Sequence, residues 1–259
     1  MSSKVLITRK IPEKGIIILK KHDLDCSVHE KNRPMTRKEL ENGIKEADAV
    51  ISMLYDRIDS ALLDLAPGLK IVANLAVGTD NIDIPACTSR GIAVTNTPGV
   101  LTEATADLTL ALILAAARRL VPADRFFREG RFNGWDPLLF VGSDLSGKTL
   151  GIIGMGRIGQ AVARRAIGFK MNIIYHNRNP LPEEITGELD AVYLPLDEVI
   201  KQSDFLSLHL PYSAEVHHLI NKERLEMMKP DAYLINTKTG SPLGKKLGAP
   251  CLQIKYYIF

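Results

Sequence analysis

The stretch TLGIIGMGRIGQAVARRAIGFKMNIIYHN, residues 149–177, decides the fold of this chain. An apolar strand pattern leads directly into a helical pattern, and a second apolar strand pattern follows. This order predicts two parallel strands joined by a helix. The turn between the first strand and the helix carries Gly154-Met155-Gly156-Arg157-Ile158-Gly159, which matches G-x-G-x-x-G in the context that this motif requires.

Each glycine of the motif has a separate physical task. The first permits a tight turn, the second lets the backbone approach a pyrophosphate, and the third lets the helix pack closely on the strand. Free N–H groups and the helix dipole then favour phosphates at the helix N-terminus. We predict that a dinucleotide binds at Gly154, Gly156, Arg157, Ile158 and Gly159. A turn without a ligand is the alternative interpretation of the same glycines.

The residues after the second strand indicate which dinucleotide is bound. An NAD site usually has a carboxylate there for the ribose 2′-hydroxyl, whereas this chain has His176-Asn177-Arg178-Asn179. The Arg178 guanidinium is a planar donor fork that suits phosphate oxygens. We therefore predict NADP(H) as the cofactor, bound with Asn177, Arg178 and Asn179, and NAD(H) as the second candidate. Alternatively, Arg178 is a solvated residue at a strand end.

The rest of the chain repeats this alternation of apolar strands and helices. Further strand patterns are KVLIT (4–8), AVISM (49–53), KIVANLA (70–76), GIAVTN (91–96), DFLSLHL (204–210) and AYLINT (232–237). Strands that are apolar on both faces belong in parallel sheets covered by helices. The sequence predicts an α/β fold with two doubly wound parallel-sheet domains, residues 1–100 and 101–240, followed by an atypical tail at 241–259.

One long helix is predicted where the second domain begins. Residues 101–120, LTEATADLTLALILAAARRL, have high helix propensity and apolar side chains on nearly every face. Because such a helix must bury its whole circumference, we expect it to be packed between the two domains. The cleft beside it is then the expected ligand site.

The composition excludes several functional classes. Of the 259 residues, 46% are hydrophobic and 24% are charged, and the formal net charge is +3. This charge is too small to indicate a nucleic-acid or membrane partner. Three separated cysteines and the lack of an apolar run of about 18 residues argue against a disulfide framework, a metal site and a membrane span. We expect a cytoplasmic protein.

Several blocks of sequence, in order along the chain, resemble one enzyme family. The blocks are NLAVGTDNID (74–83), GIAVTNTPGVLTEATADLTLALILAAARR (91–119), LSGKTLGIIGMGRIGQAVA (145–163), SLHLPYSAEVHHLIN (207–221) and MKPDAYLINT (228–237). They resemble the D-2-hydroxyacid dehydrogenases of the glyoxylate and hydroxypyruvate reductase type. The resemblance covers about residues 1–237. It implies hydride transfer from NADPH to a small 2-oxo acid, and a homodimer.

The resemblance also implies a substrate site in the first domain. That domain is expected to be flavodoxin-like and to bind the substrate carboxylate with the backbone at Val77 and Gly78, with Leu54 nearby. Backbone N–H groups suit an anion because they do not titrate near neutrality. From the residues alone, VGTDN (77–81) is rather a strand-to-helix turn in which Asp80 or Asn81 caps the helix.

In the second domain the resemblance places further residues beside the cofactor. Leu101 and Thr105 are expected near the nicotinamide, and Leu210 and Pro211 on the adenine-ribose side. Thr237 is expected to approach the cofactor at the end of the last strand. His209 has a catalytic type of side chain, but its match to a strand position implies a structural role.

The family works with an Arg, a His and a Glu, and this chain matches none of them. The Arg belongs to an N-T-A-R-G pattern that aligns with residues 236–240, so Thr239 stands at its position. Lys238 lies one residue early and lacks the two-pronged donor geometry of arginine. No His follows His218, and no Glu follows Glu226. We assign no catalytic residue and expect an impaired enzyme.

The end of the chain differs in character from the rest. Residues 232–259 contain four lysines and no Asp or Glu, and CLQIKYYIF (251–259) is apolar and β-prone. A truncation by a frame change or deletion after Thr237 is one interpretation, and a divergent natural C-terminus is the other. We expect an incomplete second sheet whose last strand, AYLINT, has an uncovered and aggregation-prone edge.

Three functional hypotheses follow from the sequence. The first is a glyoxylate or hydroxypyruvate reductase of the NADP(H)-dependent type with impaired catalysis. The second is a dinucleotide-binding sensor or partner subunit without catalysis. The third is an active enzyme that uses Lys238 or His209 in place of the missing groups.

Overall fold

The chain separates into two compact units, Met1–Val100 and Leu101–Phe259. The computed structural model describes residues 2–210 and 214–237, and the backbone of residues 255–258. Each unit contains one parallel sheet with helices in its connections. The predicted fold class, two doubly wound parallel α/β sheets, is confirmed.

The first unit has five strands in the order β2-β1-β3-β4-β5, which is the flavodoxin-like order. Its strands are β1 (Lys4–Ile7), β2 (Asp25–Val28), β3 (Ala49–Ser52), β4 (Ile71–Asn74) and β5 (Ala93–Thr95). Its helices are α1 (Glu13–Lys21), α2 (Arg37–Ile44), α3 (Ser60–Leu63) and α4 (Ile84–Ser89). Leu6, Val50 and Val72 of the central strands are buried against α2, α3 and the apolar residues around them.

Side-chain caps define several helix starts in the first unit. Thr36 and Glu39 form a capping box at the start of α2, in which each side chain bonds the other residue's backbone N–H. Asp59 caps α3 by accepting from the Leu62 N–H. Asp83 caps α4 by accepting from the Ala86 N–H. VGTDN lies in the connection from β4 to α4, as expected of a strand-to-helix turn, but the expectation that Asp80 or Asn81 caps the helix is wrong.

The second unit begins with two helices, which precede its sheet. Its helices are α5 (Thr102–Ala117), α6 (Leu120–Arg128), α7 (Arg157–Gly168), α8 (Glu183–Glu188), α9 (Leu196–Gln202), a 3₁₀ turn (Ala214–Val216) and α10 (Lys222–Met227). Its strands are β6 (Thr149–Ile153), β7 (Asn172–His176), β8 (Ala191–Tyr193), β9 (Phe205–Leu208), β10 (Tyr233–Asn236) and β11 (Lys255–Ile258).

These strands pair in parallel in the order β11-β10-β9-β6-β7-β8. Counted from β6, this is the 3-2-1-4-5-6 order of dinucleotide-binding sheets, whose order reverses between β6 and β9. Alternate strand residues face two different cores. Leu150, Ile152 and Phe205 contact the core with α5 and α7, whereas Ile153 and Leu206 contact the core with α9 and α10.

The edge of β10 differs from our expectation. We expected this edge to be uncovered, but β11 pairs with it in parallel from Tyr233↔Lys255 to Asn236↔Ile258. The residues of β11, KYYI, have high strand propensity, and β10 offers a row of backbone donors and acceptors. The expectation of an uncovered edge is therefore wrong. The rest of the predicted tail lies outside the described residues.

The long helix also differs from its prediction. It ends at Ala117, and Arg119, with φ of 53°, separates α5 from α6. One face of α5, which includes Ala106, Leu110 and Ile113, is buried. Another face is exposed, with Glu103, Ala104, Asp107, Leu108 and Ala111. The expectation of burial on every side is wrong because the small alanines of this helix are tolerated on an exposed face as well as in a core.

Candidate functional site

The G-x-G-x-x-G turn lies between β6 and α7, at the carboxyl edge of the second sheet. Gly154 has φ of 96°, in the region that favours glycine, and its N–H donates to the His176 carbonyl at 3.0 Å. A Cβ added at Gly154 would lie 2.8 Å from the carbonyl carbon of His209. The backbone of this turn therefore requires glycine at its first position.

The second and third glycines face different surroundings. A Cβ added at Gly156, which precedes α7, would meet no atom within 4 Å. A Cβ added at Gly159 would lie 2.5 Å from the Gly154 carbonyl oxygen and 3.2 Å from Ile152 Cγ2. Gly156 thus leaves open space at the start of the helix, and Gly159 permits close packing of the helix on the strand.

The start of α7 also offers hydrogen-bond donors. No described residue accepts a hydrogen bond from the N–H of Arg157, Ile158 or Gly159. Arg157 is exposed, and Ile158 is half-buried. Three unpaired N–H groups at the positive end of a 12-residue helix suit a phosphate. The open space and these donors fit a dinucleotide pyrophosphate.

Asn177 connects the end of β7 with the glycine turn. Its Oδ1 accepts a hydrogen bond from the Met155 N–H at 2.7 Å. Its carbonyl accepts a hydrogen bond from the Tyr193 hydroxyl at 3.3 Å. Asn177 therefore holds the turn in place with its oxygen, while its Nδ2 has no acceptor among the described residues.

Arg178 and Asn179 extend beyond β7 into solvent. Arg178 Nη2 lies 3.2 Å from Glu215 Oε2, and the two side chains are 79% and 77% exposed. An ion pair at such exposure is screened by water and competes poorly with other partners. Glu215 is a neighbour of Arg178 that the sequence did not indicate, because the two lie 37 positions apart along the chain.

The other residues predicted near the cofactor lie on several elements of the second unit. Leu101 is exposed at the start of α5, and Thr105 lies in its first turns. Leu210 is half-buried after β9. Thr237 follows β10, and its buried Oγ1 has no hydrogen-bond partner among the described residues. Pro211, like Lys238 and Thr239, lies outside the described residues.

His209 has the surroundings of a packed side chain. It is 6% exposed, and its Nε2 lies 2.8 Å from the buried Ser207 Oγ. The backbone N–H of His209 donates to the Ile153 carbonyl at 2.8 Å, which continues the pairing of β9 with β6. Burial and this hydrogen bond argue against His209 as a proton donor to a substrate.

The residues predicted to bind the substrate lie in two loops of the first unit. Leu54 is 44% exposed in the loop after β3, and Val77 and Gly78 are half-buried in the loop after β4. No residue in the described part of the chain accepts from the N–H of Leu54, Val77 or Gly78. In open α/β sheets, ligands bind outside the carboxyl ends of the strands, which is where these two loops lie. A negative charge that would repel a carboxylate is near, because Asp80 Oδ1 would lie 2.8 Å from a Cβ added at Gly78.

Side-chain amides that the sequence analysis did not assign to a site hold these loops. Asn96 Nδ2 donates to the Val77 carbonyl at 2.8 Å, and Asn74 Nδ2 donates to the Gly78 carbonyl at 2.9 Å. Asn81 Nδ2 donates to the Met53 carbonyl at 3.0 Å. The sequence signal for Asn74 and Asn81 is the polar content of NLAVGTDN (74–81), which a buried strand end does not need for packing.

The structure adds little on metals and thiols. Among the described residues there is no group of three or more His, Cys, Asp or Glu that could hold a metal ion. Cys26 and Cys87 are free thiols, and burial raises the pKa of both. Within the same residues, every helix is too short or too polar to cross a bilayer.

Comparison with known proteins places the chain in a family. Residues 110–245 match the family described as D-isomer specific 2-hydroxyacid dehydrogenase, NAD binding domain. A glyoxylate reductase of Thermococcus onnurineus (strain NA1) is 51% identical over 244 residues, which are 93% of this chain and 72% of that protein. A glyoxylate reductase of Korarchaeum cryptofilum (strain OPF8) is 47% identical over 247 residues, which are 95% of this chain and 74% of that protein.

Solved structures agree with this assignment. A glyoxylate reductase from Paecilomyes thermophila has a TM-score of 0.84 and 31% identity, over 100% of this chain and 82% of that chain. D-lactate dehydrogenase from Aquifex aeolicus, solved with NAD and lactic acid, has a TM-score of 0.79 and 32% identity, over 93% of this chain and 70% of that chain. The chain therefore belongs to the D-isomer specific 2-hydroxyacid dehydrogenases, a family of NAD(P)-dependent oxidoreductases, and is of the glyoxylate reductase type.

Proposed function

We propose that this chain binds NADPH and a small 2-oxo acid such as glyoxylate or hydroxypyruvate, and that its hydride transfer is strongly impaired. The observation that carries the proposal is the glycine turn, where open space at Gly156 adjoins three N–H groups of α7 that have no acceptor among the described residues. In this proposal the second unit binds the dinucleotide and the first unit binds the acid. Family membership supplies the reaction class.

The preference for NADPH over NADH rests on the end of β7. Residues 176–179 contain no carboxylate that would repel a 2′-phosphate, and Arg178 is exposed there. Its exposed ion pair with Glu215 can give way to a phosphate, since a dianion offers more acceptor oxygens and more charge than one carboxylate. NADH lacks this phosphate and gains nothing from Arg178.

The substrate site of this proposal consists of backbone donors. The N–H groups of Leu54, Val77 and Gly78 have no partner in the described residues, while the Val77 and Gly78 carbonyls are bound by Asn96 and Asn74. This arrangement leaves donors rather than acceptors for a carboxylate. The exposed Asp80 weakens the attraction, but water screens its charge.

The proposed impairment concerns the proton. Reduced nicotinamide, when bound, supplies a hydride to the substrate's carbonyl carbon, and the oxygen must then receive a proton. A positioned general acid contributes about 10²–10⁴-fold to such a step. Thr239 stands where the family has its Arg, and His209 is buried against Ser207. In this proposal, water supplies the proton.

Titration of the chain with NADPH and with NADH tests the cofactor proposal. Arg178→Gln is expected to weaken NADPH binding by about tenfold or more and to leave NADH binding within about twofold. Arg164→Gln is the matched control, because Arg164 is an exposed arginine of the same unit that pairs with Glu188 instead. Equal losses for the two nucleotides in Arg178→Gln would contradict the proposed preference.

A dinucleotide-binding protein without catalysis is the second candidate function. The buried position of His209 favours it, because a buried histidine that is bound to Ser207 is poorly placed to give a proton to a substrate. Binding of NADPH together with no detectable oxidation in the presence of glyoxylate supports this candidate. Slow but measurable oxidation supports the impaired reductase.

A homodimer is part of the same proposal. The segment 120–141 exposes several large apolar side chains: Leu120, Val121, Phe127, Phe132, Trp135, Leu138 and Val141. Trp135 is 84% exposed and Leu138 is 80% exposed. Contiguous apolar exposure of this kind marks an interaction surface, and a second copy of the chain is the partner that the family resemblance implies.

We also propose the cytoplasm as the compartment. The free Cys26 and Cys87 thiols are consistent with a reducing environment. Fractionation of cells that express the full chain tests this proposal. Recovery of the protein outside the cytoplasmic fraction would contradict it.

A further inference from the structure

The two loops of the proposed substrate site are joined by a network of buried and half-buried amides. The first loop, residues 53–57, follows β3, and the second loop, residues 75–83, follows β4. Ile58 and Ile82 at the loop ends form a parallel bridge. The two strands end side by side, with Ser52 paired to Asn74. The loops are therefore neighbours at one edge of the first sheet.

Asn81 belongs to the second loop but binds the first. Its Nδ2 donates to the Met53 carbonyl at 3.0 Å and to the Asp56 carbonyl at 2.9 Å. A carboxamide nitrogen has two hydrogens, so both are used. Its Oδ1 accepts from Asn74 Nδ2 at 3.1 Å. The Asn81 side chain thus links the two loops through its Nδ2 and is itself held by Asn74 through its Oδ1.

Asn74, at the end of β4, holds the Asn81 side chain in place by a hydrogen bond. Asn74 is 2% exposed, and its Oδ1 accepts from Ser52 Oγ at 3.0 Å. Its Nδ2 donates both to Asn81 and to the Gly78 carbonyl, the latter at 2.9 Å. Because Asn74 is held by the strands, it transmits their rigidity to the loops. A buried amide of this kind costs stability if it loses its partners.

These bonds determine where the free N–H groups point. In a planar trans peptide the N–H is antiparallel to the C=O of the preceding residue. Asn81 holds the Met53 carbonyl and so aims the Leu54 N–H in the opposite direction. Asn96 holds the Val77 carbonyl and so aims the Gly78 N–H. The Met53 and Val77 carbonyls are therefore hydrogen-bonded on one side of their peptides, and the Leu54 and Gly78 N–H groups point to the other side.

A buried carboxylate anchors the first loop at its base. Asp56 is 3% exposed, and its Oδ2 accepts from Thr8 Oγ1 at 2.5 Å and from the Met53 N–H at 2.8 Å. The Asp56 N–H donates to the Met53 carbonyl at 3.0 Å, which closes a tight turn around Leu54. The loop is therefore held from two sides, by Asp56 within it and by Asn81 across from it.

We propose that Asn81 is a positioning residue for the 2-oxo acid: it aims the Leu54 N–H and holds the first loop against the second, so that the backbone donors of both face the substrate carboxylate. This inference rests on the proposed function, which places the carboxylate at these N–H groups. Asn81 itself contacts no reacting atom. Its effect is on the affinity for the acid and not on the affinity for the dinucleotide.

The test uses the full chain loaded with NADPH and oxalate as a non-reducible analogue of the 2-oxo acid. Calorimetry of Asn81→Ala is expected to show at least a tenfold loss of oxalate affinity, with NADPH affinity within about twofold of the parent. Asn42→Ala is the control, because Asn42 is exposed on α2 of the same unit and accepts a 3.4 Å hydrogen bond from Lys45. It is expected to behave like the parent.

A second measurement separates failure of this inference from failure of the proposed function. Amide hydrogen exchange of residues 53–57 and 75–83 is expected to be at least tenfold faster in Asn81→Ala than in Asn42→Ala, while β4 exchanges as before. If the parent chain binds no oxalate, the proposed substrate site is wrong. If the parent binds oxalate and Asn81→Ala binds it equally well, or if loop exchange is unchanged, the role of Asn81 is refuted. Equal losses of NADPH and oxalate affinity would indicate general destabilisation and also overturn it.

Discussion

The three glycines of the turn after β6 differ in what an added methyl group would meet. Gly154 would place it against the His209 backbone, Gly159 against the Gly154 carbonyl, and Gly156 in open space. These differences distinguish the glycines that the turn needs for its structure from the glycine that leaves room for a ligand. Two of the glycines are needed for folding of the turn, whereas the third leaves room that the fold itself does not use.

Gly156→Ala is expected to remain folded and to lose NADPH affinity by at least tenfold. Its φ of −80° and ψ of −160° suit alanine, and the new Cβ has no neighbour within 4 Å, so it occupies only the space proposed for the pyrophosphate. Gly168→Ala is the control, since its Cβ also meets nothing within 4 Å but lies at the far end of α7. Fluorescence titration measures the affinity. Unchanged NADPH binding in Gly156→Ala would contradict the proposed location.

Gly154→Ala is expected to destabilise the chain rather than merely block a ligand. A non-glycine residue at such a positive φ costs about 1–3 kcal/mol, and contact with the His209 carbonyl adds to this cost. Urea denaturation should show a lower free energy of unfolding than in Gly156→Ala. Equal stability of the two variants would argue against the observed turn geometry.

At the residue scale, the sequence predicts what depends on spacing along the chain. The G-x-G-x-x-G spacing and its strand and helix context are local, so the separate tasks of the three glycines could be proposed in advance. The bonds of Asn81 to Met53 and Asp56, and the approach of Glu215 to Arg178, join residues that are distant in sequence. Such pairs depend on the folded loops and leave no pattern in one sequence.

At the scale of elements, strands buried on both faces were predicted well, whereas the edge strands β2 and β8 were missed, although β5, also at an edge, was predicted. β9 and β10 are buried at every position, and they read as continuous apolar runs. β2, with the sequence DCSV, lies at the edge of the first sheet, and the three-residue β8 lies at the edge of the second. An edge strand needs less apolar surface, so its sequence carries a weaker signal.

Asp204 shows how one carboxylate joins several elements of the second sheet. It directly precedes β9, accepts from the Thr149 N–H of β6 at 2.8 Å, and pairs with Lys229 before β10 at 2.9 Å. Burial raises the pKa of Asp204, but the hydrogen bonds from Thr149 and Lys229 outweigh burial and hold this pKa below its ordinary value. The charged form is therefore favoured by folding.

Asp204→Asn is expected to lower the free energy of unfolding by about 1–3 kcal/mol at pH 7, because a charge-assisted hydrogen bond to Lys229 is lost. A depressed pKa contributes stability above the unfolded value of about 4, and this contribution disappears as the pH falls through the lower folded value. Denaturation at pH 7, 4 and 3 should show parent and variant converging with acid. A difference that grows as the pH falls would contradict the assigned direction.

At the scale of the whole molecule, strand order distinguishes the two units more clearly than composition does. The first sheet has the order 2-1-3-4-5, and the second has the order 3-2-1-4-5-6 when counted from β6. The alternating pattern predicted both parallel sheets. It could not predict that β11 completes the second order, because the link between β10 and β11 has no strand or helix pattern that we recognised.

The proposed homodimer can be followed with the protein's own tryptophan. Trp135 is the one tryptophan of the sequence and is largely exposed in the single chain. If segment 120–141 is the interface, the fluorescence emission of Trp135 should shift to shorter wavelength as the protein concentration rises. Sedimentation should show a dimer over the same concentration range. Leu138→Glu should keep the chain monomeric, whereas Glu223→Gln at an exposed position of α10 should not. A monomer at all concentrations would contradict this interface.

The central proposal is that the chain holds reduced NADP at the glycine turn, and that its described residues, with His209 buried, offer no side chain to protonate the reduced oxygen. The most direct test is a single-turnover measurement of NADPH absorbance, with the chain in excess over the nucleotide and glyoxylate saturating. The account predicts bound NADPH whose oxidation is about 10²–10⁴-fold slower than in an intact glyoxylate reductase measured in parallel. Oxidation at the rate of that intact enzyme would contradict it.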